Sequence, residues 1–245
     1  MTRKLLTLAA ALLIGVAAHA QQNLRIMSYN VRNGYGIDKQ HSYDRPSRVI
    51  NKVSPDVVAV QELDSMTTRY KDYVLGELSE RTGMYAYYGP SISFGGGKYG
   101  VGILSRTPAL SVQQHTLPCR SEPRTMLIIE LEDYYFACTH LSLHAEDRMT
   151  SMEIIREIAS KLDKPLILAG DLNAEPTDPE IQKLAEFCTI HSRTDRKTWD
   201  AAKPTVCIDY IVSYGCKAKT RKARVLREKR ASDHRTIFAD IRILE

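Results

Sequence analysis

Short apolar runs of strand type recur along this chain, and several end on a polar residue, which restricts the folds open to it. Ser28-Tyr29-Asn30-Val31-Arg32, Gln61-Glu62-Leu63, Thr139-His140-Leu141 and Gly170-Asp171-Leu172-Asn173 directly follow such runs. Ile208-Asp209-Tyr210 lies within one, and Ser232-Asp233-His234-Arg235 ends a polar loop before the last. Polar groups at strand ends gather on one rim of a sheet, so residues as distant as Asn30 and His234 can share one site. One carboxylate after a strand means little. The whole ordered set is hard to produce by accident.

The intervening sequence supplies the other elements. Leu24 to Met27 alternates and reads as a strand ending at Asn30, and Asp56 to Val60 is a continuous apolar run, the pattern of a strand covered on both faces. Asp44 is expected to cap a helix over Arg45 to Val53, with Pro46 tolerated in the first turn, and Tyr70 to Arg81 a second helix closed by Gly83. Strands are expected at Val101 to Leu104, Leu110 to Gln114, Arg124 to Leu131 and Tyr134 to Thr139, the last two joined as a hairpin through Glu132-Asp133. Glu146 to Lys161 and Pro179 to Phe187 have helical character, and strands follow at Leu166 to Ala169, Val206 to Ser213, Ala223 to Leu226 and Thr236 to Leu244. A single sheet of so many strands would curl or split. The expected architecture is therefore α/β, with two packed sheets and helices outside them.

The first twenty residues stand apart. Arg3 and Lys4 precede a nearly unbroken apolar stretch, Leu5 to Ala18, and Ala18-His19-Ala20 is a small-residue cleavage pattern. That is the layout of a signal peptide (1–20) ahead of a mature domain (21–245), and it implies export to the periplasm or beyond. The stretch falls short of the roughly 20 residues that cross a bilayer. No later segment is apolar enough to do so, and no Cys sits at the cleavage point to carry a lipid. Loss of Arg3 and Lys4 lowers the net charge from +5 to +3, mildly basic and no demand for nucleic acid in itself. Five cysteines without CxxC or Cys/His spacing argue against structural zinc; Cys138 and Cys207, inside strand-like runs, suit buried small hydrophobes. Their pairing stays open, and a monomer is expected.

The strand-end residues suit phosphoester chemistry. Cleaving a phosphate ester needs a hard cation to neutralise phosphoryl oxygens, an oriented water and a proton donor for the leaving group. Mg²⁺ uses few protein carboxylates and keeps several waters, and Glu62 at a strand end fits that role, though a surface glutamate would sit there equally well. Asp171 and Asn173 are an i, i+2 pair facing one side of an extended chain. They serve either to hold a water and donate to a phosphoryl oxygen, or to cap a turn. Asp209, in an otherwise apolar strand, needs a buried partner, and orienting the His234 imidazole would satisfy it. Asp233 offers a carboxylate beside that ring. His140 can donate to a phosphate or a leaving oxygen.

On these residues the chain resembles the endonuclease/exonuclease/phosphatase superfamily, over essentially the whole mature chain. The resemblance implies a four-layered α/β sandwich and a hydrolase that uses Mg²⁺ or Mn²⁺. It implies Glu62 as principal metal ligand, with Asn30 and Asp233 at the metal and phosphate site. Asp171 and Asn173 would position nucleophile and transition state, and Asp209 and His234 would form an Asp–His dyad. His140 matches the deoxyribonuclease and sphingomyelinase branches and Arg32 the deoxyribonuclease-type Asn-x-Arg, and both depart from the AP endonucleases, which carry tyrosine and an acidic residue there. Asn173-Ala174-Glu175-Pro176 and Ile208-Asp209-Tyr210 depart from the inositol 5-phosphatase pattern.

Four further residues are candidates for substrate binding. They are Arg32, Tyr99 in the loop Phe94 to Gly100, Arg124 at a strand start, and Trp199, the sole tryptophan. Arg124 can equally pair with a carboxylate, and Trp199 can equally close the core. Lys217 to Arg230 holds eight basic residues against Glu228 alone, and such a stripe either tracks phosphates or an anionic lipid surface, or is a solvated hairpin. The expected activity is an exported metal-dependent phosphodiesterase acting on nucleic acid or an anionic lipid head group. The rival of another class is an inactive anion-binding protein.

Overall fold

A computed structural model describes residues 23–244. The signal-peptide segment, with its cleavage pattern, lies outside the described residues.

Twelve strands form two six-stranded mixed sheets among the described residues. The first contains β1 (Asn23–Asn30), β2 (Val57–Ser65), β3 (Tyr85–Phe94), β4 (Gly97–Ser105), β11 (Lys217–Val225) and β12 (Ile237–Leu244), in the order β11-β12-β1-β2-β4-β3. The second contains β5 (Ser111–Leu117), β6 (Arg124–Glu130), β7 (Tyr135–His140), β8 (Leu166–Asp171), β9 (Thr189–Ile190) and β10 (Asp209–Tyr214), in the order β5-β6-β7-β8-β10-β9. Each sheet has one parallel pair at its centre, β1 with β2 and β7 with β8. The remaining pairs are antiparallel.

Alternation along the strands sets the layers. Ile26, Val57, Ala59 and Ile103 of the first sheet meet Leu127, Phe136, Ile167 and Ile211 of the second in one buried core. Met27, Tyr29, Val58 and Val60 face outward against α1 (Asp44–Val53) and α2 (Val74–Thr82). The outer face of the second sheet packs on α3 (Ala145–Ser160) and α4 (Pro179–Ala185) through Met152, Ile155, Ile181 and Leu184. This is the expected four-layered sandwich. No helix among the described residues is long and apolar enough to cross a membrane.

Departures from the sequence reading have local causes. Asp44 is the first helical residue and makes no cap; its carboxylate instead accepts from Arg81 Nε at 2.8 Å. Residues 70–73 are not helical because their backbone pairs with Met66 and Thr67 (Met66 N–H to Asp72 O, 3.1 Å; Thr67 N–H to Tyr70 O, 3.0 Å). The strand β3 escaped notice because Pro90 interrupts it, which is tolerated at the sheet edge it occupies. The supposed loop Phe94 to Gly100 is a tight β3–β4 hairpin turning at Gly95 and Gly96, both at positive φ, with Tyr99 inside β4. The basic stretch Lys217 to Val225 is the exposed edge strand β11, where lysines discourage pairing with other chains. All five cysteines are unpaired, with Cys138 and Cys207 buried as expected.

Candidate active site

The ends of the central strands open into one cleft of about 510 Å³. Strand register explains who meets whom there. His140, the last residue of β7, lies opposite Asp171, the last of β8, and Asp171 lies opposite Asp209, the first of β10. Three side chains from three strands thus share one rung. Gly170 permits this closeness, since a Cβ at that position would collide with the Thr139 carbonyl oxygen.

On the facing sheet, register alone would not suffice. Asn30 ends β1 opposite Gln61, which is buried and bonds to Ser28 and Cys138. Glu62 reaches the cleft because the β2–β4 register shifts between Val60 and Leu63 and Glu62 takes a left-handed backbone conformation (φ 58°). That conformation is unfavourable for any residue with a Cβ and concentrates at functional sites.

Asp171 is the hub. Its Oδ2 lies 3.2 Å from Asn30 Nδ2, 3.5 Å from His140 Nε2 and 3.4 Å from His234 Nε2, and its Oδ1 accepts the Asn173 backbone N–H at 3.1 Å. His234 Nδ1 meets Asp209 Oδ2 at 3.0 Å, so the expected dyad forms across the two sheets. Asn30 donates also to Glu62 Oε1 at 2.8 Å, while its Oδ1 accepts the Arg32 N–H at 3.1 Å. Asn30 thereby holds the Glu62 carboxylate in place.

Electrostatics follow from burial. Desolvation raises Glu62 and Asp171 above the ordinary carboxylate range, with Asp233 adding to the effect at Glu62 and Asp209 at Asp171. Burial also disfavours a charged His234, but Asp209 and Asp171 overcome this and lift the ring well above an ordinary imidazole. His140 is pushed the other way, by burial and by the charges of Arg124 and His234. The cleft therefore sets a His234 ring pushed toward the cationic form beside a His140 ring pushed toward the neutral one.

Asp171, Asp209 and His234 bring ligand atoms within 4.8 Å of one another. With Asp209 hydrogen-bonded at Nδ1 and Asp171 Oδ2 3.4 Å from Nε2, a His234 ring pushed toward the imidazolium suits proton relay rather than metal ligation. The oxygens suited to a cation belong to Glu62, whose Oε2 takes no protein hydrogen bond, and to Asp233, which lines the cleft 3.6 Å from Arg32 Nε. Carboxylate oxygens are hard donors, and at Glu62 desolvation leaves the carboxylate short of compensating positive charge, which fits Mg²⁺ or Mn²⁺.

The remaining candidates fall at the rim. Arg124 is buried, pairs through one terminal nitrogen with Glu122, and leaves its Nε without a partner in the cleft. Asn173 gives one amide proton to the Leu141 carbonyl (3.0 Å), leaving the other. Tyr99 lines the cleft, with Arg69 5.7 Å above its ring. Trp199, 40% exposed, lines it too, and its backbone bridges to His234. Arg32 lies just outside, on Asp233 and over Tyr35. Sequence reading passed over Glu122, Leu143, Glu175 and Asp178, which also line the cleft. The spacing Glu122-Pro123-Arg124 was the one available signal for the first.

The Endonuclease/Exonuclease/phosphatase family model matches residues 27–234. No curated protein sequence matches the chain significantly. Among solved structures, the chain is similar to an endonuclease/exonuclease/phosphatase family protein from Bacteroides thetaiotaomicron (17% identity, 92% of this chain and 99% of that one, TM-score 0.77). It is similar also to a mannosyl-6-phosphatase of the same organism (17%, 89% and 99%, 0.74) and to D. rerio TDP2 complexed with a single-strand DNA product (19%, 89% and 98%, 0.68). With the matched span running from β1 to His234 and the cleft at its strand ends, the chain belongs to the endonuclease/exonuclease/phosphatase family, whose members are hydrolases of phosphoester bonds.

Proposed function

We propose that the protein is an exported Mg²⁺- or Mn²⁺-dependent phosphodiesterase that cleaves a P–O bond by in-line attack of water. The observation that carries this is the array Asp209–His234–Asp171 beside the outward Glu62 carboxylate, in one cleft with the Arg124 guanidinium. A divalent cation held by Glu62 and Asp233 would neutralise charge on the phosphoryl group. Arg124, which lines the cleft, and the spare Asn173 amide proton can bind phosphoryl oxygens. His234, kept cationic by Asp209, donates from Nε2 to the same group. Asp171, its pKa raised toward neutrality, is suited to take a proton from the attacking water. Neutral His140 can donate to the leaving oxygen. Export rests on the leader pattern, and nuclease action is the preferred branch.

A second reading, head-group cleavage from a lipid, is favoured by Leu143 and Trp199, which leave 70% and 40% of their surfaces exposed at the mouth of the cleft. The test is hydrolysis by the mature protein, with and without Mg²⁺, of bis-p-nitrophenyl phosphate, plasmid DNA, RNA, and sphingomyelin or phosphatidylinositol phosphate vesicles. Metal-dependent cleavage of nucleic acid that is absent in Glu62→Ala is the expected result. Cleavage of vesicles alone would favour the second reading. Silence on every substrate would leave the inactive anion-binding alternative.

A further inference from the structure

A second cleft, of about 550 Å³, lies on the far side of the loop that walls the catalytic one. Arg193, Arg196, Lys197, Arg224, Arg227 and Arg235 line it, and Asp195 is the only acid among its lining residues. These cations come from three separate stretches of chain. Protection of the β11 edge accounts for lysines along that strand, but not for Arg193, Arg196 and Arg235 converging on the same hollow.

Most of this charge is uncompensated. Asp195 is shared by Arg193 and Arg196, and Lys197 pairs with Glu175 at 2.7 Å. Among the described residues, Arg224, Arg227 and Arg235 have no carboxylate within ion-pair distance. Arg235 is part-buried and held by its Nε bond to the Ala201 carbonyl (2.9 Å), and both burial and the Arg227 charge work against its ionisation. Like charges brought together in a concavity by a fixed backbone are stabilised by an anion. Guanidinium groups are planar forks matched to phosphate oxygens. No aromatic side chain lines the cleft, so stacking on a base has no platform there.

We infer that this cleft is an oligophosphate-binding site, taking two or more adjacent phosphates along a phosphoanhydride or phosphodiester chain. It stands back to back with the catalytic centre: His234 lines one cleft and Arg235 the other, and the Lys197–Glu175 pair spans the wall between them. The site does not depend on the chain being a hydrolase.

Calorimetric titration of the full mature protein with inorganic tripolyphosphate, and separately with a single-stranded oligothymidylate, tests it. Both are done with EDTA, where the carboxylates of the catalytic cleft repel phosphate. Tripolyphosphate should bind with an affinity that falls steeply with salt. The double variant R224E/R227E should weaken binding at least tenfold, and K217E/K219E, the same charge change on β11 outside the cleft, should weaken it less than threefold. Binding of the oligonucleotide as well would identify a nucleic-acid backbone as the source, and binding of tripolyphosphate alone a free oligophosphate. Absence of binding by both, or equal losses in the two double variants, would overturn the site and leave only a diffuse basic surface.

Discussion

The two sheets bring their residues to the catalytic cleft in different ways. In the second sheet, His140, Asp171 and Asp209 are neighbours on a regular ladder, and the only special requirement is Gly170 beneath them. In the first, the regular partner of Asn30 is the buried Gln61, and Glu62 enters the cleft through a register shift and a left-handed backbone. A regular ladder gives proton-handling groups fixed short distances. The irregular strand turns out one carboxylate with an oxygen that no protein donor occupies, which is what a cation needs. In the proposed mechanism, order on one side and strain on the other divide the labour between proton transfer and metal binding.

That division can be tested, starting with the largest effect. His234→Ala should lower turnover by about 10³-fold or more, in line with loss of a group acting in the chemical step. Saturating Mg²⁺ should not restore it, while circular dichroism stays native; turnover within tenfold of the parent would remove the relay from the chemistry. Next comes metal linkage. Glu62, a proposed ligand, and Asp171, which shares Asn30 with it, have raised pKa values in the metal-free fold, so a cation bound at Glu62 competes with protons there. Mg²⁺ at a hundredfold excess over Kd should stabilise the protein by about 2.7 kcal/mol near pH 8. The gain should shrink between pH 8 and pH 5, as Asp171 takes up its proton near 7 and Glu62, shifted in the same direction, adds to the loss. A Mg²⁺-induced shift in melting temperature that is equal at both pH values would break the assignment of the cation to these carboxylates.

The two backbone devices should respond in opposite directions. Gly170→Ala forces β7 and β8 apart and should cost about 1–3 kcal/mol on urea denaturation, as overpacking does. Glu62→Gly removes both a strained conformation and a buried carboxylate. It should leave the metal-free protein about 1 kcal/mol more stable, while abolishing the Mg²⁺-induced shift. If Glu62→Gly destabilised the fold, strain at that position would not be the means by which the carboxylate is presented.

Much of this was legible beforehand. Alternation and continuous apolar runs pointed to the layered sandwich, and Asn30, His140, Asp171, Asn173, Asp233 and His234 were marked by their places beside strand-like runs. Glu62, expected at a strand end, lies inside β2 at its register shift, and Asp209, expected within a strand, begins β10. Tyr99, Arg124 and Trp199 do line the cleft, whereas Arg32 sits just beside it. Less legible were β3, hidden by Pro90, and the start of α2, where backbone pairing at Met66 and Thr67 overrides helical composition. The basic stripe was read as one feature, but it divides into an edge strand and a cleft. Half of the cleft's cations, Arg193, Arg196 and Lys197, lie in the loop before Trp199, which charge counting along the stripe never reached.

The sequence by itself determined where the strands and their polar flanks lie, because side-chain period and apolar runs are local properties of the chain. Only the tertiary structure decided their ionisation and their partners. What Asn30 holds, whether His234 is charged and which carboxylate keeps an open oxygen all depend on desolvation and on charges brought from strands far apart. The same holds for Arg235, one residue beyond His234. Local sequence makes it one more arginine, and convergence with two distant segments makes it part of an anion site.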